Sequence, residues 1–240
     1  LYYNCAKPFA RLAGRKPIVL KQTLKLIDRA KQLQPTNSAF VTESAHQNSL
    51  LGDLRKANNE FKQGASLDDA NVQAVTGMIY CQLSAGQLLD AQHQIDFMKE
   101  IQGSDGSGYE LTFLSALLAW RKDRKLERAV RLLDQCLKQF NSNVTNSGSS
   151  NVHDYYVNFD VDFQLQVAKE YIQHCGAEPI DQGDPTPVFL QKGLNVLEKV
   201  AKEVPGMLQV QLALAKARFL DNDFDSAEKV LSQCLRLDPQ

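Results

Sequence analysis

The sequence lacks the features that mark several common classes of protein. No short spacing pairs its cysteines, and an odd number so dispersed predicts free thiols in a reducing compartment. The longest apolar run, Leu111 to Trp120, is about half of what a bilayer crossing requires, so no membrane span is predicted. The net charge is only −1, from 27 basic and 28 acidic residues, which gives no global reason to expect nucleic acid or an anionic membrane as the main partner. The five cysteines are Cys5, Cys81, Cys136, Cys175 and Cys234.

Residues that break helices are also scarce. The chain of 240 residues has 8 prolines and 13 glycines, which leaves room for long uninterrupted helices. A hydrophobic fraction of 43% excludes wholesale disorder. The sequence begins at Leu1 without an initiator Met and ends on Asp238-Pro239-Gln240. We therefore expect both ends to be cuts through a longer protein.

The residue patterns of catalysis and metal binding are missing as well. The glycine-rich stretch Gly103 to Gly108 has no preceding strand and no Lys-Ser/Thr after it, so it predicts a turn and no phosphate-binding loop. His46, His93, His153 and His174 do not pair at helical spacing, and no Cys, His and Asp grouping suggests a nucleophile. We predict a protein that is not an enzyme and that needs no cofactor or metal.

What the sequence does contain is an internal repeat. Helix-breaking residues recur along the chain, and three of the intervals between them are 34 residues. Eight positions before each breaker stands a large apolar residue, and twelve positions before it a small one. The large residues are Ile27, Phe61, Ile95, Leu133, Leu197 and Leu231. The small ones are Thr23, Ala57, Ala91, Ala129, Gly193 and Ala227.

Helix packing explains these two columns. Helices separated by only 8–10 Å interdigitate where small side chains let the backbones approach, and a large residue four positions later lies on the same face. A unit of about 34 residues holds two helices of roughly 14 residues and two turns, and such hairpins must stack to bury their apolar faces. The sequence predicts an all-α protein of six hairpins in one solenoid over residues 1–240. Their approximate bounds are 4–37, 38–71, 72–105, 110–143, 158–207 and 208–240.

The period is interrupted twice. Residues 141–152 are rich in Asn and Ser with almost nothing to bury, which predicts a flexible loop. Residues 176–187 form a Pro-rich insertion inside the fifth hairpin, where the prolines forbid helix continuation. We expect both segments to project from the stack and to leave it intact.

Charge is unevenly distributed along the chain. Residues 1–33 carry a net charge of +7, and residues 154–184 carry −6. One interpretation is a basic end and an acidic shoulder that each meet an opposite partner surface. The other is solvated helix faces with no partner. Residues 16–33 of the basic end contain no aromatic residue on which RNA bases could stack, so RNA binding is not favoured.

A row of apolar residues on the first helix of each hairpin is the candidate partner-binding site. We predict that it faces the concave surface and holds a helix or extended segment of a partner. The alternative is that the row packs against neighbouring first helices. The row consists of Tyr80, Leu114, Leu118, Leu165 and Leu212.

The spacing and the turn residues resemble the tetratricopeptide repeat, which implies a right-handed α-solenoid. Arg11 and Leu117 depart from the repeat, because they occupy places that it normally gives to Gly or Ala. Two specialised forms of the repeat are not matched. Thr42, His46, Thr76 and Tyr80 occupy the places of a clamp for a C-terminal carboxylate, and they cannot supply its charge. An asparagine ladder is likewise replaced by Glu43, Gly77, Ser115, Gln166 and Ala213.

Longer stretches resemble one family, that of tetratricopeptide repeat protein 21, the large repeat subunit of intraflagellar transport complex A. These stretches are Ala74–Gln82, Ala91–Glu100, Val167–Tyr171 and Ser232–Pro239. The resemblance implies a non-catalytic scaffold at the cilium or flagellum and its basal body, on the cytoplasmic side. It also implies a role in retrograde transport and ciliary protein import. The partners it implies are other complex A subunits with WD40 or tetratricopeptide repeats, and ciliary cargo.

Two alternatives stay open. The segment could be the regulatory arm of an enzyme whose catalytic domain lies elsewhere in the chain, or an adaptor in another multi-subunit assembly. The full-length sequence distinguishes the enzyme, and co-purification from ciliated and non-ciliated cells distinguishes the other adaptor.

Overall fold

A computed structural model describes residues 1–12, 16–102, 108–146 and 159–237. Within these ranges the chain forms twelve helices and no strand, which confirms the predicted all-α class. In chain order they are α1 (Tyr2–Leu12), α2 (Pro17–Leu33), α3 (Ser38–Leu50), α4 (Leu54–Leu67), α5 (Val72–Ser84), α6 (Leu88–Gln102), α7 (Tyr109–Arg121), α8 (Leu126–Asn146), α9 (Val161–Ile172), α10 (Val188–Glu203), α11 (Leu208–Leu220) and α12 (Phe224–Leu237).

Local sequence sets the helix boundaries. Gly52 and Gly86 adopt positive φ between the two helices of their hairpins, and Asn222 does so in the last one. These left-handed positions end one helix at little steric cost and let the chain reverse. The next helix then begins with a side-chain cap, as where Asp53 accepts a hydrogen bond from the backbone N–H of Lys56 at 3.0 Å.

The chain divides into two compact units, each with its own buried residues. The first contains α2 to α8 and nearly all of α1, and the second contains α9 to α12. In the second unit the cluster of buried side chains includes Leu165, Leu197 and Leu214, so it runs through both of its hairpins.

The repeat columns lie where the packing argument puts them. All six small residues are buried, from Thr23 to Ala227, and so are five of the six large ones. The exception is Leu231 on α12, which is 45% exposed. Gly193 shows why the column is small: a Cβ there would lie 3.2 Å from Ile172 Cγ1 and 3.3 Å from Tyr171 Cβ. Helices α9 and α10 therefore approach so closely that a larger residue would require its neighbours to shift by a few tenths of an ångström.

The Pro-rich insertion is attached to the neighbouring hairpin at two points. Its Ile180 N–H donates to the Leu220 carbonyl at 2.9 Å, and the Thr186 hydroxyl donates to Asp221 Oδ1 at 2.5 Å. The last carbonyls of a helix lack intrahelical donors, and Leu220 ends α11. The insertion supplies one of those donors, so it is fastened to the neighbouring hairpin. Residues 181–185 are exposed, and their projection from the stack stays a prediction.

The predicted Asn/Ser loop also starts later than expected. Helix α8 continues to Asn146, so residues 141–146 are helical, and Ser142 donates its hydroxyl to the Lys138 carbonyl at 2.9 Å. Asn and Ser disfavour helix only weakly, and extension of an existing helix costs no new nucleation. The remaining residues of the prediction, 147–152, lie outside the described residues.

The contact between Gly77 and Phe61 gives a test of the packing argument. A Cβ on Gly77 would lie 2.5 Å from the Phe61 ring, which is less than carbon atoms tolerate. We predict that Gly77→Ala lowers the free energy of unfolding by about 1 to 2 kcal/mol, although Ala is the better helix former by about 1 kcal/mol. Urea unfolding followed by circular dichroism measures the change.

Gly206 is the matched control, because nothing lies within 4 Å of its would-be Cβ. We expect Gly206→Ala to change stability little. A Gly77→Ala chain as stable as the original would contradict the close approach of α4 and α5.

Candidate interaction surfaces

In the first unit the predicted partner-binding row is only partly accessible. Tyr80 on α5 and Leu118 on α7 are half-buried. Leu114 on α7 is buried, with 2% of its surface exposed. Seven consecutive residues of α7, from Leu111 to Leu117, are buried, because this helix is enclosed by its neighbours. Leu114 therefore packs the core and cannot contact a partner.

The second unit shows the same division. Leu165 on α9 is completely buried among the residues of the second core, whereas Leu212 on α11 is 45% exposed. The prediction that Leu114 and Leu165 face a partner is wrong. The 34-residue period placed both leucines on the correct helices. A helix that is covered on several sides, however, buries more than one stripe of residues. Tyr80, Leu118 and Leu212 remain as candidates.

The exposed part of the second unit has one apolar face. Leu212 and Phe219 lie seven residues apart on α11 and so share a side of that helix. The ring of Phe219 packs against that of Phe224 on α12, with centroids 5.6 Å apart. All three side chains are more than 40% exposed. The exposed Lys216 lies between Leu212 and Phe219 on this side of α11, so the apolar surface is divided into two parts, one at Leu212 and one at the pair of phenylalanine rings.

A buried polar network in the first unit was missed by the sequence analysis. Glu60 on α4 accepts hydrogen bonds from Ser44 at 2.9 Å and Asn48 at 2.7 Å, both on α3. Lys31 on α2 completes it with an ion pair to Glu60 at 2.8 Å. Three helices thus meet at one carboxylate, and the positions of its donors fix how the helices sit together.

A second chain of hydrogen bonds runs alongside. Thr23 on α2 donates to Gln47 at 2.9 Å, and Gln47 donates to Glu43 at 2.8 Å. All three side chains are buried. Glu43 therefore serves this internal network. The sequence signal was the polar Thr23 in a column otherwise made of Ala and Gly.

The charged regions of the sequence are used in part for structure. Lys31 belongs to the basic end, residues 1–33, yet it neutralises Glu60 inside its own unit. Lys21, Lys25 and Arg29 on α2 are exposed. Of the acidic region, Glu178, Asp181 and Asp184 are exposed on the fastened insertion. His153 and Asp154 lie outside the described residues.

The thiols differ in their surroundings. Burial raises the pKa of Cys81 to about 11, and burial together with the nearby Glu110 carboxylate raises the pKa of Cys136 further. Both thiols therefore stay protonated and unreactive at neutral pH. Among the described residues no three His, Cys, Asp or Glu side chains are grouped so that they could hold a metal ion. Within the same ranges no helix is long and apolar enough to span a membrane.

The helix hairpins bury a column of small residues and leave apolar and charged faces exposed. This arrangement defines a helical-repeat protein. The chain belongs to the tetratricopeptide repeat protein 21 family, because the family model described as "Tetratricopeptide repeat protein 21 second ARM domain" matches residues 1–240. This confirms the resemblance found in the sequence.

Individual relatives agree with that assignment. Human tetratricopeptide repeat protein 21B is 36% identical over 239 residues, and its mouse counterpart is 32% identical over 245. Each alignment covers 100% of this chain and 18% of the relative, so the chain spans about a fifth of their length. Among solved structures, yeast Tom70 is similar with a TM-score of 0.55 at 17% identity, covering 91% of this chain and 40% of Tom70. That likeness concerns the fold alone.

The environment of the cysteines predicts an order of alkylation. Cys5 is exposed, whereas Cys81 and Cys136 are buried. At pH 8 a thiol with the pKa of Cys81 is ionised in only about one molecule in a thousand. We therefore predict that iodoacetamide at pH 8 modifies Cys5 first, and Cys81 and Cys136 only after urea unfolds the chain.

Peptide mass spectrometry of timed samples measures the order. Modification of Cys81 or Cys136 in the native chain as fast as that of Cys5 would contradict the burial of these two thiols.

Proposed function

We propose that this chain is a non-catalytic scaffold segment of intraflagellar transport complex A. It acts in retrograde ciliary transport and in the import of ciliary proteins, at the cilium or flagellum and basal body on the cytoplasmic side. The observation that carries the proposal is membership of the tetratricopeptide repeat protein 21 family over the whole chain. The ciliary assignment comes from this family, and the scaffold role is also supported by the physics of the fold.

The fold suits such a role. Hairpins that contact chiefly their neighbours give much surface for each residue, and that surface can be varied without disturbing a central core. The described residues concentrate their polar chemistry in the network around Glu60, where Ser44, Asn48 and Lys31 serve to join helices. Buried thiols with raised pKa values are inert as nucleophiles.

The contacts are proposed to run through the accessible members of the predicted row, which are Tyr80, Leu118 and Leu212. The partners are other complex A subunits with WD40 or tetratricopeptide repeats, and ciliary cargo. Leu212 is the member with most surface to offer, and Phe219 offers a second apolar part farther along α11. Leu212 is 45% exposed, so its burial at an interface contributes about 1 kcal/mol, which is about a fivefold change in binding.

The test is co-purification of the tagged full-length parent protein from ciliated cells. We predict that the unchanged protein recovers complex A subunits, and that Leu212→Asp reduces their recovery at least fivefold. The aspartate leaves an unpaired charge in the interface. Leu212 is exposed, so the variant is expected to melt within a few degrees of the unchanged protein.

Leu89→Asp is the matched control, because Leu89 on α6 is 64% exposed and lies outside the row. Its recovery of partners should be unchanged. Equal losses in both variants would contradict the proposed contact. Absence of complex A subunits from the unchanged protein would contradict the ciliary assignment itself.

The co-purified proteins and the full-length sequence also distinguish the proposed function from two others. Recovery of one assembly from both ciliated and non-ciliated cells would favour an adaptor in another complex. An α/β catalytic domain in the full-length parent protein would favour the regulatory arm of an enzyme.

A further inference from the structure

The first unit carries a dense group of cations at its last hairpin. Six basic residues against two acidic ones fall within residues 121–131, a local net charge of +4 in a chain whose total is −1. They occupy the turn between α7 and α8 and the first part of α8. This concentration lies outside the predicted row and outside the basic end of the chain.

Some of these cations are already engaged within the unit. Arg124 lies over the Trp120 ring, 5.4 Å from its centroid, and Lys122 donates a hydrogen bond to Gln92. Arg128 is 3.8 Å from Asp123 but keeps 55% of its side chain exposed. A pair at that distance and exposure holds its partner only weakly.

Three of the six cations face solvent at the start of α8. Lys125, Arg128 and Arg131 are exposed at intervals of three residues, so their side chains lie on neighbouring parts of the α8 surface. Lys125 and Arg131, together with Lys99 on α6, make no side-chain hydrogen bond or ion pair within the described residues. We call Lys99, Lys125, Arg128 and Arg131 the α8 basic surface.

Local stability explains only part of this placement, through Glu127 four residues before Arg131 and Asp123 near Arg128. Like charges three residues apart on a helix repel each other by about 0.2 to 0.5 kcal/mol for each pair. The start of a helix also carries a partial positive charge, which disfavours cations there. An anionic ligand would relieve both effects.

A groove lies next to these cations. It has a volume of about 180 Å³ between α6, α7 and α8, and Lys99 and Arg128 stand on its rim. The half-buried Leu132 gives the groove its accessible apolar surface, and Leu111 in the same wall is 1% exposed. The polar lining residues are Thr112, Ser115 and Gln135, and the hydroxyl of Ser115 is turned to its own helix, donating to the Leu111 carbonyl at 2.8 Å. Leu132 with a cation on either side fits one apolar side chain flanked by carboxylates.

We infer that the α8 basic surface binds an acidic segment of a protein partner, which places one apolar side chain in the groove and carboxylates on Lys99, Lys125, Arg128 and Arg131. Lys125 and Arg131 are about 9 Å apart along the helix axis, the length of about three residues of extended chain. That is too short to follow the phosphates of a duplex. Phe97 and Ile101, the exposed large apolar residues beside Lys99 on α6, lie two positions from it and so point to the other side of that helix, away from the cations. The inference rests on the scaffold role proposed above and names one partner chemistry for it.

The test measures fluorescence anisotropy of a labelled peptide of twelve residues, all Asp and Glu except for one central Leu, with the purified 240-residue chain. We expect saturable binding that weakens at least fivefold between 50 and 300 mM NaCl, because the contacts are exposed ion pairs. Replacement of the central Leu by Ser should weaken binding about threefold or more, because the groove then holds no apolar side chain. Failure of the unchanged chain to bind the peptide would overturn the inference.

The variant K125E/R128E/R131E reverses three cations, and we expect it to weaken binding at least tenfold. The variant K21E/K25E/R29E on α2 is the matched control, because it makes the same change in total charge at three exposed positions. It should change binding less than twofold. Equal losses in the two variants would overturn the inference, since binding would then follow total charge alone.

A milder variant, R128Q/R131Q, keeps the measurement meaningful if charge reversal disturbs folding. Its thermal unfolding should match that of the unchanged chain while peptide binding falls about fivefold. The purified chain is also tested with vesicles that contain 30% phosphatidylserine and with a 20-base-pair duplex. If it binds either of them more tightly than the peptide, and K125E/R128E/R131E loses that binding, the surface is assigned to that ligand and the inference is overturned. Peptide binding is measured with the purified chain alone. Failure of the chain to bind the peptide is therefore distinct from failure to recover complex A subunits by co-purification.

Discussion

The close approach of helices within each hairpin is the constraint on which the rest of the structure depends. It requires a small residue where the two backbones meet and a large one four positions later to fill the space beside it. Ala57, Ala91 and Ala129 meet the first requirement and are almost completely buried. The hairpins from α3 to α10 bury both the small and the large residue, and the last described hairpin buries the small one, Ala227, while Leu231 is 45% exposed.

That constraint also explains what the surface can do. A stack that is fixed by two buried columns leaves the outward faces free to vary. The apolar face of α11, the fastened insertion after α9 and the cations of α8 are all variations of this kind. They occur on elements whose buried side is held by the repeat, so each can meet a partner without altering the fold.

The repeat could be predicted from the sequence, because it depends on periodic positions such as Ile27, Phe61 and Leu133, and the family could be predicted from continuous stretches such as Ala74–Gln82. The detail of the candidate site could not. Leu114 and Leu165 follow the same period as Leu212, and only the packing of neighbouring helices decides which of them is covered. The network around Glu60 joins residues up to 29 positions apart, and no local sequence pattern predicts contacts at that separation. The path of residues 176–187 depends likewise on hydrogen bonds to Leu220 and Asp221, which are 35 to 40 positions away.

The stability of Ala129→Leu measures the central constraint most directly. Ala129 lies on α8 with 1% of its surface exposed, at the contact with the first helix of its hairpin. Urea unfolding should show a loss of about 1 to 3 kcal/mol, because the added volume forces the two helices apart. Ala39→Leu on the exposed side of α3 should leave stability nearly unchanged. An Ala129→Leu chain as stable as the unchanged one would contradict the central claim, because the hairpins would then not depend on close approach at the small-residue column.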